Sequence, residues 1–329
     1  MEVMSIFCVT NKLIKSKHST MLDLIGDIHG HADDLEHLLQ KLGYTKTNTH
    51  YSHPERKVLF VGDYIDRGPK IRETLEIVKG MVDHGSAIAL MGNHEYNALL
   101  FHAENPKGGH LRKHSIKNII QHYDTLEQFK NDHKAYKMYL EWFKTLPLFY
   151  ETETFRAVHA CWDYVSIDYL KEHLVDNRLT EELLHQSAIE DTPLYDAIET
   201  TLKGKELRLP REFSFQDEDG SDRENMRIKW WEELSNITYE ALQVNDSNIK
   251  IPSDLVTGME DADYYKENDK PVFFGHYWLQ DKAPKLFRDN ICCLDYSVAK
   301  DGYLVAYRFD GETALDEDKF VYVKKEVLA

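Results

Sequence analysis

Three glycine-linked polar runs, each following an apolar stretch, set the tightest limit on how this chain can fold. They are Gly26-Asp27-Ile28-His29-Gly30, Gly62-Asp63-Tyr64-Ile65-Asp66-Arg67-Gly68 and Gly92-Asn93-His94-Glu95. Roughly 30 residues separate their starts, the spacing of strand-helix repeats. Met21-Leu22-Asp23-Leu24-Ile25, Val58-Leu59-Phe60-Val61 and Ala87-Ile88-Ala89-Leu90-Met91 read as the strands before them. Between the first two, an aspartate of Asp33-Asp34 caps a helix, Leu35, Leu38, Leu39 and Leu42 form its apolar stripe, and Gly43 stops it. Pro69 opens a second helix with Ile71, Leu75, Val78 and Val82 on one face, and Gly85 ends it. The order is β-α-β-α-β, with each polar run at the carboxyl end of a strand, where α/β sheets carry their sites.

Farther on, Phe149-Tyr150 and Phe155-Arg156-Ala157-Val158 read as two strands, the second followed by His159. Val272-Phe273-Phe274 reads as a buried strand ended by Gly275-His276, and short strands follow at 291–294, 303–309 and 320–323. Two stretches, about 96–146 and 165–269, read as mostly helical insertions, with 216–222 as a solvent loop in the second. There is no internal repeat, low-complexity tract or clear linker. The expected organisation is an N-terminal extension, 1–20, and a single domain, 21–329, capped by the two insertions.

Lys and Arg number 40 against 57 Asp and Glu, a formal charge of −17. Such a surface repels nucleic acid duplexes and anionic membranes, so a phosphate site here must be made locally positive by metals and a few arginines. No stretch approaches the ~18 apolar residues of a membrane helix. The four cysteines, Cys8, Cys161, Cys292 and Cys293, include no C-x-x-C pair. That pattern suggests reduced thiols and a cytoplasmic setting.

The runs carry the residue types that a two-metal hydrolytic site requires. Such a pair needs a bridging carboxylate and mixed nitrogen and oxygen ligands from several strand ends. Asp27 and His29 can approach one metal from a single turn, and Asp63 is the natural bridge. Asn93 offers an amide oxygen to the second metal, whose shell His159 and His276 could complete. Singly, each run could be an ordinary turn; three in order are specific.

On these motifs, together with Val158-His159-Ala160 and Gly275-His276, the chain resembles the calcineurin-like metallophosphoesterases, and within them the phosphoprotein phosphatase branch with its bacterial relatives. The resemblance implies an α/β (α+β) fold of two packed β-sheets flanked by helices. It implies one divalent metal on Asp27, His29 and Asp63 and another on Asp63, Asn93, His159 and His276. His94 would donate a proton to the leaving oxygen, Asp66 would orient His94, and Arg67 would bind phosphoryl oxygens. A hydroxide held between the metals would attack directly, with no phosphoenzyme.

Family members usually add a second phosphate-binding arginine; Arg227 is the first candidate and Arg112 the second. Mn²⁺ is the expected metal in vitro, with Fe, Zn²⁺ or Ni²⁺ able to use the same donors. The phosphorylated substrate is expected to be a phosphoprotein, as for a serine/threonine or tyrosine phosphatase. The alternative is a bis(5'-nucleosyl)-tetraphosphate or another nucleotide. A catalytically silent scaffold would have lost a ligand, and none is missing. His110 and His114 read as one solvated helix face, and His122 and His133 show no partner spacing. Cys161, two residues past His159, is placed near the site, without the C-x₅-R loop of a cysteine phosphatase. Oligomeric state is open.

Overall fold

The structure, a computed structural model, describes residues 21–210, 213, 215–216, 222–244, 253–257 and 263–325. The N-terminal extension and the centre of the expected solvent loop lie outside them. The chain begins with β1 (Met21–Ile25), α1 (Ala32–Lys41), a hairpin of β2 (Thr45–Lys46) and β3 (Tyr51–Ser52), β4 (Arg56–Phe60), α2 (Ile71–Asp83) and β5 (Ala87–Ala89). Three helices follow: α3 (Asn93–His102), α4 (Ile116–Phe129) and α5 (His133–Phe143). Then come β6 (Phe149–Glu151), β7 (Arg156–Val158), α6 (Tyr164–His173), α7 (Glu181–Ser187) and α8 (Pro193–Lys203). Short strands β8 (Glu206–Arg208), β9 (Phe215–Gln216), β10 (Asp222–Arg223) and β11 (Asn225–Arg227) precede α9 (Tyr239–Leu242). The chain closes with β12 (Val272–Phe274), β13 (Ile291–Cys293), β14 (Asp295–Tyr296), β15 (Tyr303–Phe309) and β16 (Phe320–Lys324).

Two sheets carry the domain. The larger runs β14-β15-β1-β4-β5, with β16 also on β15; the smaller runs β13-β12-β7-β6. Strands β1, β4 and β5 are parallel, as their helical crossovers require. The sheets pack face to face: Phe273 of β12 lies 5.2 Å from the Tyr307 ring and 5.5 Å from the Phe309 ring of β15. Their inner faces merge in one buried apolar core. The fold is therefore the expected pair of packed sheets flanked by helices. Periodicity does not announce the second sheet, because β7, β12 and β13 are only three residues long.

Helix α1 buries Leu35, Leu38 and Leu39, as its stripe predicts, but its N-cap is His31 with no side-chain cap bond. Helices α4 and α5 start where Ser115 accepts from the Asn118 N–H and Asp132 from the Ala135 N–H. The second insertion departs from the mostly helical expectation. After Lys203 it turns to strands, Leu207 and Met226 pair across β8 and β11, and a satellite core forms around Met226, Ile228 and Leu242. His110 and His114 are not on a helix. Gly108 and Gly109 adopt positive φ and bend the chain, and the two rings stack on each other, with His114 also on Phe101. Among the described residues, no helix is long and apolar enough to cross a membrane.

Candidate metal centre

The carboxyl ends of β1, β4, β7 and β12 and the first turn of α3 converge at the top of the sandwich. The N–H groups of Ile28 and His29 donate to the Asp63 carbonyl, and Gly30 donates to Tyr64, so the first two turns are tied to each other. In the smaller sheet, the Gly275 N–H donates to the His159 carbonyl. His29, Asp63, Asp66, Arg67 and His276 all take positive φ. Left-handed backbone at non-glycine residues costs on the order of 1 kcal/mol or more each, and such strain gathers at functional sites.

This geometry brings Asp27, His29, Asp63, Asn93, His159 and His276 together, all buried. The His276 N–H donates to Asp27 Oδ2 at 3.0 Å, joining residues 249 positions apart. Gly275 lets them approach, because a Cβ there would land on Asp27 Oδ1. His29 Nδ1 lies 2.9 Å from the Ile65 carbonyl and His159 Nδ1 lies 2.9 Å from the Val61 carbonyl. A carbonyl only accepts, so both Nδ1 atoms carry hydrogen, and in the neutral rings that a cation would meet both Nε2 lone pairs face inward. The His29 lone pair faces Asp63 Oδ2 at 3.6 Å. That of His159 faces Asn93 Oδ1 at 3.0 Å and Asp63 Oδ2 at 3.4 Å. His276 Nδ1 lies 2.7 Å from the same Asn93 oxygen.

Acceptors thus face acceptors, an arrangement that cations satisfy. Asp27 Oδ1 and His29 Nε2 are buried without a hydrogen-bond partner among the described residues. Two groups, His29-Asp63-His94 and Asp63-His159-His276, each gather donor atoms within 4.8 Å of one another and share Asp63. The electrostatics agree. Burial, then the charges of Asp295 and Asp63, pushes the Asp27 carboxyl well up. Burial, then the neighbouring His94, lowers His29 to about 3, so its ring is neutral and ready to ligate. Burial would raise Asp63, but the His159 and His94 rings outweigh it and hold the carboxyl well below its usual range. The donor set fits two divalent cations.

Around this cluster stand the other expected residues. His94 Nδ1 meets Asp66 Oδ2 at 2.5 Å, and its Nε2 lies 4.0 Å from Asp63 Oδ2. Arg67 is exposed, its guanidinium 3.7 Å from the centre of the half-buried Trp278 ring. Lys300 Nζ lies 4.5 Å from the same ring, which is 5.9 Å from the His29 ring. Arg227 sits on β11 rather than on a helix and, after burial, is the strongest influence lowering His276. Arg112 donates to Gln121 at 2.7 Å, and its charge interacts with Asp66. Cys161 is fully buried and burial pushes its thiol well up, so it is inert.

Two residues with no role in the sequence reading prove central. Glu95 is fully buried, and its carboxylate accepts the N–H groups of Asp63, Tyr64 and Gly92 at 2.9, 2.8 and 3.0 Å. Its position in the first turn of a helix, reaching back to the residue before the helix, was a usable signal. His122 joins Asp66 at 2.7 Å, and nothing in its spacing announces it.

Two packed sheets with a paired set of cation donors at their strand ends define the class of site. A family model of calcineurin-like phosphoesterases matches residues 22–277, and the chain belongs to that family. Among named relatives, the asymmetrical bis(5'-nucleosyl)-tetraphosphatase PrpE of Oceanobacillus iheyensis is 31% identical over 140 residues, 42% of this chain and 54% of that protein. The Bacillus subtilis PrpE is 34% identical over 130 residues, 39% of this chain and 51% of that one. The chain spans about half the length of these relatives. In fold it is similar to a yeast (Saccharomyces cerevisiae) protein serine/threonine phosphatase, with a TM-score of 0.52 and 13% identity, over 96% of this chain and 82% of that one.

Proposed function

We propose that this chain hydrolyses nucleoside polyphosphates, dinucleoside tetraphosphates among them, with two divalent cations, Mn²⁺ serving in vitro. The observation that carries the two-cation reading is the inward-facing histidine lone pairs, set by backbone carbonyls and opposed to the oxygens of Asp63 and Asn93. Asp27, His29 and Asp63 would hold one cation, and Asp63, Asn93, His159 and His276 would hold the other. When bound, such a pair neutralises phosphoryl oxygens and acidifies a water. Asp66 holds the Nδ1–H of His94, so that in the imidazolium the Nε2–H faces the cleft, and that proton passes to the leaving oxygen. Arg67 receives the phosphoryl oxygens, with Arg227 approaching beside His276 and Arg112 on the Asp66 side.

Two supports favour a nucleotide over the phosphoprotein placed first by the sequence reading. The named relatives at 31% and 34% identity are nucleotide hydrolases, while the protein phosphatase shares fold alone. At the edge of the cluster, Trp278 lies between ring and charge contacts with His29, Arg67 and Lys300. An aromatic face flanked by cations suits a base and its phosphate chain. The free, buried Cys161, Cys292 and Cys293 accord with a cytoplasmic setting.

The test is a Mn²⁺-supplemented screen across p-nitrophenyl phosphate, phosphopeptides, dinucleoside polyphosphates and cyclic nucleotides. Dinucleoside polyphosphates should give the highest kcat/KM. A clear preference for phosphopeptides would restore the protein phosphatase reading.

A further inference from the structure

The Asp66 carboxylate is the hub of a closed buried network. Its Oδ2 accepts the Nδ1–H of His94 at 2.5 Å. Its Oδ1 accepts the Nδ1–H of His122 at 2.7 Å and the Thr125 hydroxyl at 2.5 Å. Thr125 Oγ1 in turn accepts the Asp66 backbone N–H at 3.0 Å. On the far side of His122, Nε2 and the Tyr136 hydroxyl are hydrogen-bonded at 2.7 Å. All five residues are buried.

Directionality follows from chemistry. An ionised carboxylate only accepts, so each ring nitrogen facing Asp66 must carry a hydrogen. Burial would raise the Asp66 carboxyl, but the His122 and His94 rings outweigh it and hold it well below the usual range. His122 and Thr125 lie three apart on α4 and therefore share one helix face, while Tyr136 comes from α5. A carboxylate held only by His94 could turn about its terminal torsion, which is broad and two-fold. Two donors on Oδ1 fix its plane, and with it the direction of the His94 ring.

We propose that Tyr136, His122 and Thr125 form a positioning relay that locks the Asp66 carboxylate, so that His94 Nε2 stays aimed at the reacting phosphoryl group. The first insertion, expected to cap the site, thereby also braces the proton donor. The relay rests on the reading of His94 as that donor. His122 and Tyr136 are positioning residues and need not touch substrate.

The test compares His122→Ala, His122→Asn and Tyr136→Phe in the full chain loaded with Mn²⁺. Asn keeps a donor near the Nδ1 position, and Phe keeps the ring packing while removing only the hydroxyl. With a dinucleoside polyphosphate or an alkyl phosphate, His122→Ala should lower kcat about 10- to 100-fold at nearly unchanged KM, the scale of a misplaced catalytic group. The loss on p-nitrophenyl phosphate, whose leaving group needs little proton help, should be much smaller. His122→Asn should recover most of the activity, and Tyr136→Phe should show a partial loss with the same leaving-group bias. Equal losses on both substrates, a drop in bound metal, or an Asn variant as impaired as Ala would overturn the relay.

A second readout needs neither metal nor substrate. Proton NMR of the metal-free protein should show two far-downfield imidazole N–H signals from the rings bonded to Asp66. His122→Asn should remove one and shift the other, and Asp66→Asn should remove both. An unmoved His94 signal in His122→Asn would refute the relay even if the chain proved to have another substrate.

Discussion

Replacing Glu95 by glutamine tests whether the loop carrying Asp63 is built around a buried charge. Four N–H groups point at this carboxylate: Tyr64 at 2.8 Å and Ile65 at 3.4 Å on Oε1, Asp63 at 2.9 Å and Gly92 at 3.0 Å on Oε2. Burial, then the Asp63 charge, pushes the Glu95 carboxyl upward. Even so, only donors face it, so the ionised form is the one this loop is shaped to hold. Glutamine has one oxygen, and whichever side receives its NH₂ sets donor against donor. The cheaper orientation sacrifices Oε1, where one contact is close and the other long. Losing one charge-assisted bond costs about 1.5–3 kcal/mol, and a buried N–H left unsatisfied adds about 1–3 kcal/mol. A net loss of about 3 kcal/mol is expected, on the order of 100-fold in the folded-to-unfolded ratio. The assay is urea unfolding of the metal-free protein at mildly alkaline pH, followed by tryptophan fluorescence, with Mn²⁺ titration by calorimetry beside it. The midpoint should fall, and metal affinity should weaken because the Asp63 turn loses its anchor. A Glu95→Gln protein with the parental midpoint and parental metal affinity would refute the reasoning.

Three further outcomes are expected. Asp63→Asn should abolish turnover and sharply weaken metal binding, since both donor groups share that carboxylate; full activity with two metals bound would defeat its bridging role. His94→Asn should keep both metals, measured by elemental analysis, and slow poor leaving groups most; an equal loss on an activated aryl phosphate would argue against the proton-donor role. Glu151 binds Arg156, Lys171 and Lys270. Burial opposes its ionisation, but these partners hold its pKa down to about 2 from 4.5. A depressed carboxylate contributes stability that is full above the unfolded value and is lost as pH falls through the folded one. Glu151→Gln should therefore flatten the fall of thermal midpoint between pH 4.5 and 2, and an unchanged acid limb would show that the three partners contribute nothing.

Much of the site was legible because its ligands sit in short local patterns. Asp27 and His29 share one turn, Asp63, Asp66 and Arg67 another, and Asn93 and His94 a helix start, each marked by glycine after an apolar strand. His159 and His276 were readable for the same reason, at the ends of β7 and β12. His122 was not, because its value depends on α4 packing behind the Asp66 turn. Trp278 beside Arg67 was also hidden: the two are far apart in sequence and meet only where the loops after β4 and β12 close. The β8–β11 pairing escaped a helical reading because strands of three residues carry too few alternations to show a period of two.

The amino-acid order alone determined which atoms could serve as ligands and that they would stand at strand ends, since strand, turn and helix-start preferences are local. Only the packed molecule decided which nitrogen of each histidine faces inward and which groups brace Asp66. Those choices depend on carbonyls, hydroxyls and rings supplied by distant segments, and a chain acquires such neighbours only when its two sheets close on each other.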